Sequence, residues 1–196
     1  STTARAEAAN FPFCTIEPNV GTITVPDERL NKLASLVNPQ RIVPTTVEIV
    51  DIAGLVRGAS KGEGLGNAFL GHIRETDAIV QVVRCFEDGN VTHVEGGVNP
   101  ERDLSIIETE LVIKDLDGVE KGLERHRKVA KTGNKEALAM VAVLERLHAV
   151  LNEGRWARTA GLSAEDRALV KSYGLLTLKP TLFVGNTGEE DIRNPE

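Results

Sequence analysis

Cysteine is scarce in this chain: two of its 196 residues, Cys14 and Cys85. Neither sits in a metal-ligand spacing or a redox pair, which excludes a disulfide framework and a cysteine-based metal site. Both are read as reduced thiols in a cytoplasmic compartment. No apolar run approaches the roughly 18 residues of a membrane span. The first residues, Ser1-Thr-Thr-Ala-Arg-Ala-Glu7, lack the apolar centre of a signal peptide, so no membrane partner is expected. An initiator Met is missing too, and the chain is read as beginning inside a longer protein. Positive charge is not in excess. With a net charge of −6 and a pI near 5.4, the surface as a whole is no trap for polyanions, which leaves room only for a local basic patch. Internal repeats and low-complexity tracts are also absent.

What is present is a globular composition, 41% apolar and 27% charged, in a length that suits one domain or one with an inserted subdomain. Apolar runs at 22–25 and 42–50 read as strands on either side of a helix over 27–37. Pro26 opens that helix and Asn38-Pro39 closes it, while Leu30, Leu33, Leu36 and Val37 form its apolar stripe. A short helix over 66–76 leads to a strand over 77–86. Alternating strands and helices argue for a mainly parallel, helix-covered α/β sheet. After Asn99-Pro100 the period changes. Leu104, Ile107, Leu111, Leu116, Val119 and Leu123 recur at helical spacing over 101–131, and Leu138, Val141, Leu144, Leu147 and Leu151 do so over 135–153. Thr132-Gly133-Asn134 breaks the run, so the two helices form an antiparallel hairpin. Ser163-Ala-Glu-Asp166 starts a third short helix with a capping signal, and 175–185 reads as a returning strand.

The stretch 46–66 carries the most chemistry. An apolar run with Val47, Ile49 and Val50 ends in a carboxylate, Asp51, followed by Asp-x-x-Gly and a loop with Gly58, Gly62, Gly64 and Gly66. A carboxylate at the carboxyl end of a parallel strand points into the crevice where α/β proteins bind ligands. There it can hold Mg²⁺ through water, and Gly54 would let a backbone N–H approach a γ-phosphate. The plainer alternative is an ordinary strand-to-turn junction, where Asp is common.

Six segments together resemble the YchF/Obg-like ATPase family, a hydrophobic-substituted branch of the translation-factor-related P-loop GTPases. They are Ala9-Asn-Phe-Pro-Phe-Cys-Thr-Ile-Glu-Pro-Asn-Val-Gly21, Asp51 through Asn67, Ile73-Arg-Glu-Thr-Asp77, Val83-Arg-Cys-Phe86, His93-Val-Glu-Gly96 and Leu178-Lys-Pro-Thr181. The resemblance implies a P-loop NTPase-like fold with helices on both faces of the sheet. It places a G domain over 1–100 and 174–196, and a helical coiled-coil arm inserted over 101–173. By the same resemblance Thr15 is the switch threonine on Mg²⁺ and Asp51 and Gly54 are the second switch. Asn186 and Glu189 would read the base. Leu55 stands where a glutamine orients the attacking water in Ras-type enzymes, and leucine has no donor or acceptor for that task. His72 is a candidate replacement, with a structural histidine as the alternative. Asn186-Thr-Gly-Glu189 replaces the Asn-Lys-x-Asp of GTP-specific enzymes, so ATP is favoured over GTP; an acidic turn after a strand is the other reading.

One family element is not found in these 196 residues. No Gly-x-x-x-x-Gly-Lys-[Ser/Thr] occurs, the segment whose N–H groups cradle the phosphates. The chain is therefore read as a G-domain fragment whose phosphate loop lies upstream. Two functions compete: a slow, Mg²⁺-dependent nucleoside triphosphatase acting as a switch on ribosomes, and a ribosome- or rRNA-binding structural module that binds no nucleotide in this form. The second rests on basic residues near the hairpin tip, Lys121, Arg125, Lys128, Lys131 and Lys135, against the alternative of a solvated helix face.

Overall fold

The computed structural model describes residues 19–52, 58, 60, 66–87 and 97–188, the side chains of 66–68 excepted. The chain divides into two compact units, Ser1–Gly54 and Leu55–Glu196.

In the first unit, β1 (Asn19–Thr24) and β2 (Thr46–Asp51) flank α1 (Glu28–Val37). Capping chemistry sets the helix bounds. Asp27, in extended conformation, accepts the Arg29 N–H through its side chain, and Asn38 ends the helix in the left-handed region, its N–H donating to Ala34 O at 3.0 Å. Pro39 then prevents continuation. β2 starts four residues later than the apolar run implies. Pro44 has no N–H to give to a ladder, so Ile42 and Val43 stay outside the strand. A second difference is orientation. β1 and β2 pair antiparallel, with Asn19 opposite Asp51 and Gly21 opposite Ile49, and not as the parallel crossover that a strand-helix-strand order suggests. The stripe on α1 exists, yet none of its residues is buried, and Leu33, Leu36 and Val37 are exposed.

The second unit runs α2 (Gly66–Glu75), β3 (Ile79–Arg84), α3 (Pro100–Ala130), α4 (Lys135–Asn152), α5 (Ala164–Leu169) and β4 (Thr181–Asn186). β3 and β4 pair parallel, Ile79 opposite Thr181 and Arg84 opposite Asn186. Asn99 caps α3 through its side chain with Pro100 in the first turn, and Asn134 caps α4. Glu101 and Asp103 at the start of α3 and Arg127 and Lys128 at its end complement the helix dipole. Gly133, at φ 78, makes the turn between the two helices. Their facing stripes form the core: Val112, Val119 and Leu123 against Val143, Leu144, Leu147 and Leu151, extended by Ala157, Leu162, Val170 and Leu175. Ser163 and Asp166 complete a capping box on α5.

The returning strand is shorter than the 175–185 run. Leu176–Leu178 form a 3₁₀ turn, and β4 begins only at Thr181. The cause is Asp115 on α3, 1% exposed. Its carboxylate accepts the N–H groups of Leu176 (2.8 Å) and Thr177 (2.7 Å) and the Thr177 hydroxyl (2.6 Å), which withdraws that backbone from any ladder.

Candidate functional site

Asp51 is the last residue of β2 and is exposed to solvent. A solvent-facing carboxylate at a strand end suits Mg²⁺, which keeps several waters and takes one or two protein oxygens beside the phosphates of a nucleotide. Thr15, Gly54, Leu55 and Glu189 lie outside the described residues, as do His93, Val94 and Glu95.

Asn186 closes β4 at the carboxyl end of the parallel pair, the end at which α/β sheets bind ligands. Its carbonyl accepts the Cys85 N–H at 2.8 Å, which prolongs the pairing one step past β3. This end of the sheet is tightly built. A Cβ at Gly185 would meet Cys85 Sγ at 3.4 Å, and the Arg84 guanidinium lies 4.7 Å from the Phe86 ring centroid while donating to Phe86 O. Lys179, from the Leu178-Lys-Pro-Thr segment, binds the end of α2. Its ammonium donates to the carbonyls of Arg74 and Thr76, where a cation complements the helix dipole. Burial holds its pKa below the ordinary lysine range. His72 lies in the last turn of α2, half-buried beside the buried Leu70 and Ile73.

Two carboxylates that sequence reasoning treats as charges between apolar positions are in fact buried. Glu110 is 5% exposed and accepts the N–H groups of Gly58 and Ser60, each at 2.7 Å. Asp115 is the clamp described above; burial raises its pKa, opposed by the Thr177 hydroxyl and the Thr177 and Leu176 N–H groups. The available signal is register. Asp115 lies four residues from both Leu111 and Val119, and Glu110 three from Ile107, so both fall along the apolar side of α3.

The five basic residues gather around the α3–α4 turn, but not as equivalent charges. Lys121 pairs with Asp117 at 2.8 Å and Lys128 with Glu124 at 2.7 Å, each one helical turn back. Arg125 reaches the Tyr173 hydroxyl at 3.4 Å. Lys131 and Lys135, on either side of the turn, are exposed and have no ion pair among the described residues. Among the described residues no helix is long and apolar enough to cross a membrane.

Comparison with known proteins adds to this geometry. The model of the family described as 50S ribosome-binding GTPase matches residues 1–146. The Ribosome-binding ATPase YchF of Escherichia coli O157:H7 is 54% identical over 193 residues, 98% of this chain and 53% of that protein. Its namesake in Bacillus subtilis is 50% identical over 194 residues, 99% of this chain and 53% of that protein. The solved structure of the Schizosaccharomyces pombe YchF GTPase superposes with a TM-score of 0.71 at 44% identity, covering 94% of this chain and 50% of that one. The chain thus spans about half the length of the relatives it matches.

Proposed function

The chain belongs to the 50S ribosome-binding GTPase family, in its YchF branch and with the P-loop GTPase fold, and we propose that it serves a Mg²⁺-dependent, ATP-preferring nucleotide switch that works on ribosomes in the cytoplasm. The observation that carries this reading is the position of Asn186 at the carboxyl end of the β3–β4 parallel pair, where a base-reading Asn-x-x-Glu belongs.

In this reading Asp51, through a water, and the Thr15 hydroxyl would hold Mg²⁺, which would neutralise charge on the phosphates. Gly54 would let a backbone N–H donate to the γ-phosphate. Asn186 and Glu189 read the base. A guanine-specific site uses Asp to accept from N1–H and the 2-amino group, donors that adenine lacks, so Glu189 in place of Asp weakens selection for guanine. Leu55 cannot orient a water, so hydrolysis is slow unless another group, for which His72 is the candidate, does so. The G domain comprises 1–100 and 174–196, and the arm 101–173.

The names of the relatives support ribosome association, and Lys131 and Lys135, exposed and without an ion pair among the described residues, give the arm a chemical means of contacting rRNA phosphates. The test is competition binding of Mg-ATP and Mg-GTP to a nucleotide-binding form of the protein, with Asn186→Ala beside it. Preference for ATP, and a loss of affinity of about tenfold or more in the variant, are expected. Unchanged affinity in Asn186→Ala would remove the base-reading role.

A further inference from the structure

A buried carboxyl group needs hydrogen bonds in place of its water. Glu110 obtains two of them from one short piece of backbone, Gly58 N–H on Oε1 and Ser60 N–H on Oε2, both at 2.7 Å. The donors lie 52 and 50 positions earlier in sequence, in the stretch that follows Asp51-x-x-Gly54. Gly58 sits at φ 87, a conformation glycine adopts without strain. A second observation acts in the opposite direction. Ser60 Oγ is buried and has no hydrogen-bond partner among the described residues. An orphaned hydroxyl disfavours this arrangement, since water would satisfy it on release.

We propose that Glu110 is a positioning residue that docks the backbone at Gly58 and Ser60 onto the helical arm, in equilibrium with a released form, and so couples the second-switch stretch to the arm. The mechanics follow from α3 being one helix from Pro100 to Ala130. Glu110 and the basic tip share a single stiff element and lie about 30 Å apart along it. Anything that biases docking at one end therefore has a direct physical path to the other. The docking stands on the two hydrogen bonds; the claim that nucleotide biases it rests on the switch reading above.

Hydrogen exchange on the 196-residue chain separates these claims. Glu110→Gln keeps the side-chain shape but turns one acceptor into a donor that faces an N–H. Exchange at Gly58 and Ser60 should rise about tenfold or more, while amides of Leu111 to Leu123 stay within about twofold of wild type. Ser60→Ala removes the orphaned hydroxyl, so exchange at the same two positions should slow. Unchanged exchange in Glu110→Gln, a rise shared equally by the helical core, or acceleration in Ser60→Ala would each overturn the docking role. Saturating Mg-ATP should then change exchange at Gly58 and along Leu111 to Ala130 in a wild-type protein shown by calorimetry to bind it, and leave the arm unchanged in Glu110→Gln. Transmission that survives in the variant overturns the coupling. If calorimetry detects no nucleotide binding even when the phosphate-loop segment of a matched relative precedes the chain, the switch reading fails and the docking is judged on the nucleotide-free data.

Discussion

Asp115 shows how a single side chain fixes a local chain path. Its carboxylate satisfies two N–H groups and one hydroxyl, and the Thr177 oxygen in turn accepts the Ala157 N–H at 3.0 Å. Three segments distant in sequence are thereby tied together. Asp115→Asn leaves at least one buried N–H facing an amide donor, so a destabilisation of about 1–3 kcal/mol per orphaned group is expected in urea unfolding. Its pH dependence has a definite sign. Because burial holds the folded-state carboxyl above its unfolded value, folding favours the protonated form. The stabilisation is full below the unfolded value and is lost as pH rises through the raised one. The stability gap between wild type and Asp115→Asn should therefore narrow from about pH 4 upward. A gap that widens would mean that the hydrogen bonds outweigh desolvation. Base choice belongs to this scale as well. Glu189→Asp with Thr187→Lys should move preference toward GTP by about 1–3 kcal/mol, the worth of a polar edge contact. An unchanged ATP/GTP ratio in competition binding would reject Glu189 as the base reader.

At the scale of elements, the hairpin makes a prediction against propensity. Glycine inside a helix is about 1 kcal/mol worse than alanine, so Gly→Ala normally stabilises. At Gly122 a Cβ would lie 2.5 Å from the Tyr173 ring and hydroxyl, and that ring packs on the core of α3 and α4. Gly122→Ala should instead cost about 1–3 kcal/mol, and the cost should vanish in a Tyr173→Ala background. An equal cost in both backgrounds would exclude the ring contact as the cause. The arm's charges are graded by their pairing. Reversal of Lys131 and Lys135 to Glu should weaken ribosome co-sedimentation more than reversal of Lys121 and Lys128, whose charge is partly met by Asp117 and Glu124. Removing one lysine–phosphate interaction should lower the salt dependence by about one unit of slope. Equal effects at all four positions would point to a diffuse field.

Helix ends were legible in the sequence because capping is local: Asn38-Pro39, Asn99-Pro100 and Ser163 act within a few residues of themselves. Strand bounds were less so. Ile42 and Val43 look like strand residues until Pro44 is weighed, and Leu175 to Leu178 look like strand until Asp115 claims the N–H groups of Leu176 and Thr177. Of the site, Asp51 and Asn186 were legible as strand ends. Glu110 and Asp115 were not, since their partners lie 50 to 62 positions away.

At the scale of the whole molecule, the family sets the fold, and the nucleotide claim depends on phosphate chemistry contained only in part in these 196 residues. Asp51 is the carboxylate assigned to Mg²⁺ in the proposed reading, whereas the Gly-x-x-x-x-Gly-Lys-[Ser/Thr] nest and its lysine do not occur in the chain. The nest and lysine neutralise most of the charge of a triphosphate, so they should dominate affinity. Titration calorimetry of Mg-ATP into two proteins decides whether this chain serves a nucleotide switch. One is the 196-residue chain; the other is the same chain preceded by the phosphate-loop segment of a matched YchF relative. Far tighter, Mg²⁺-dependent binding is expected in the second, weakened at least about tenfold by Asp51→Ala. Equal affinities in the two proteins, or binding indifferent to Asp51 and to Mg²⁺, would contradict it.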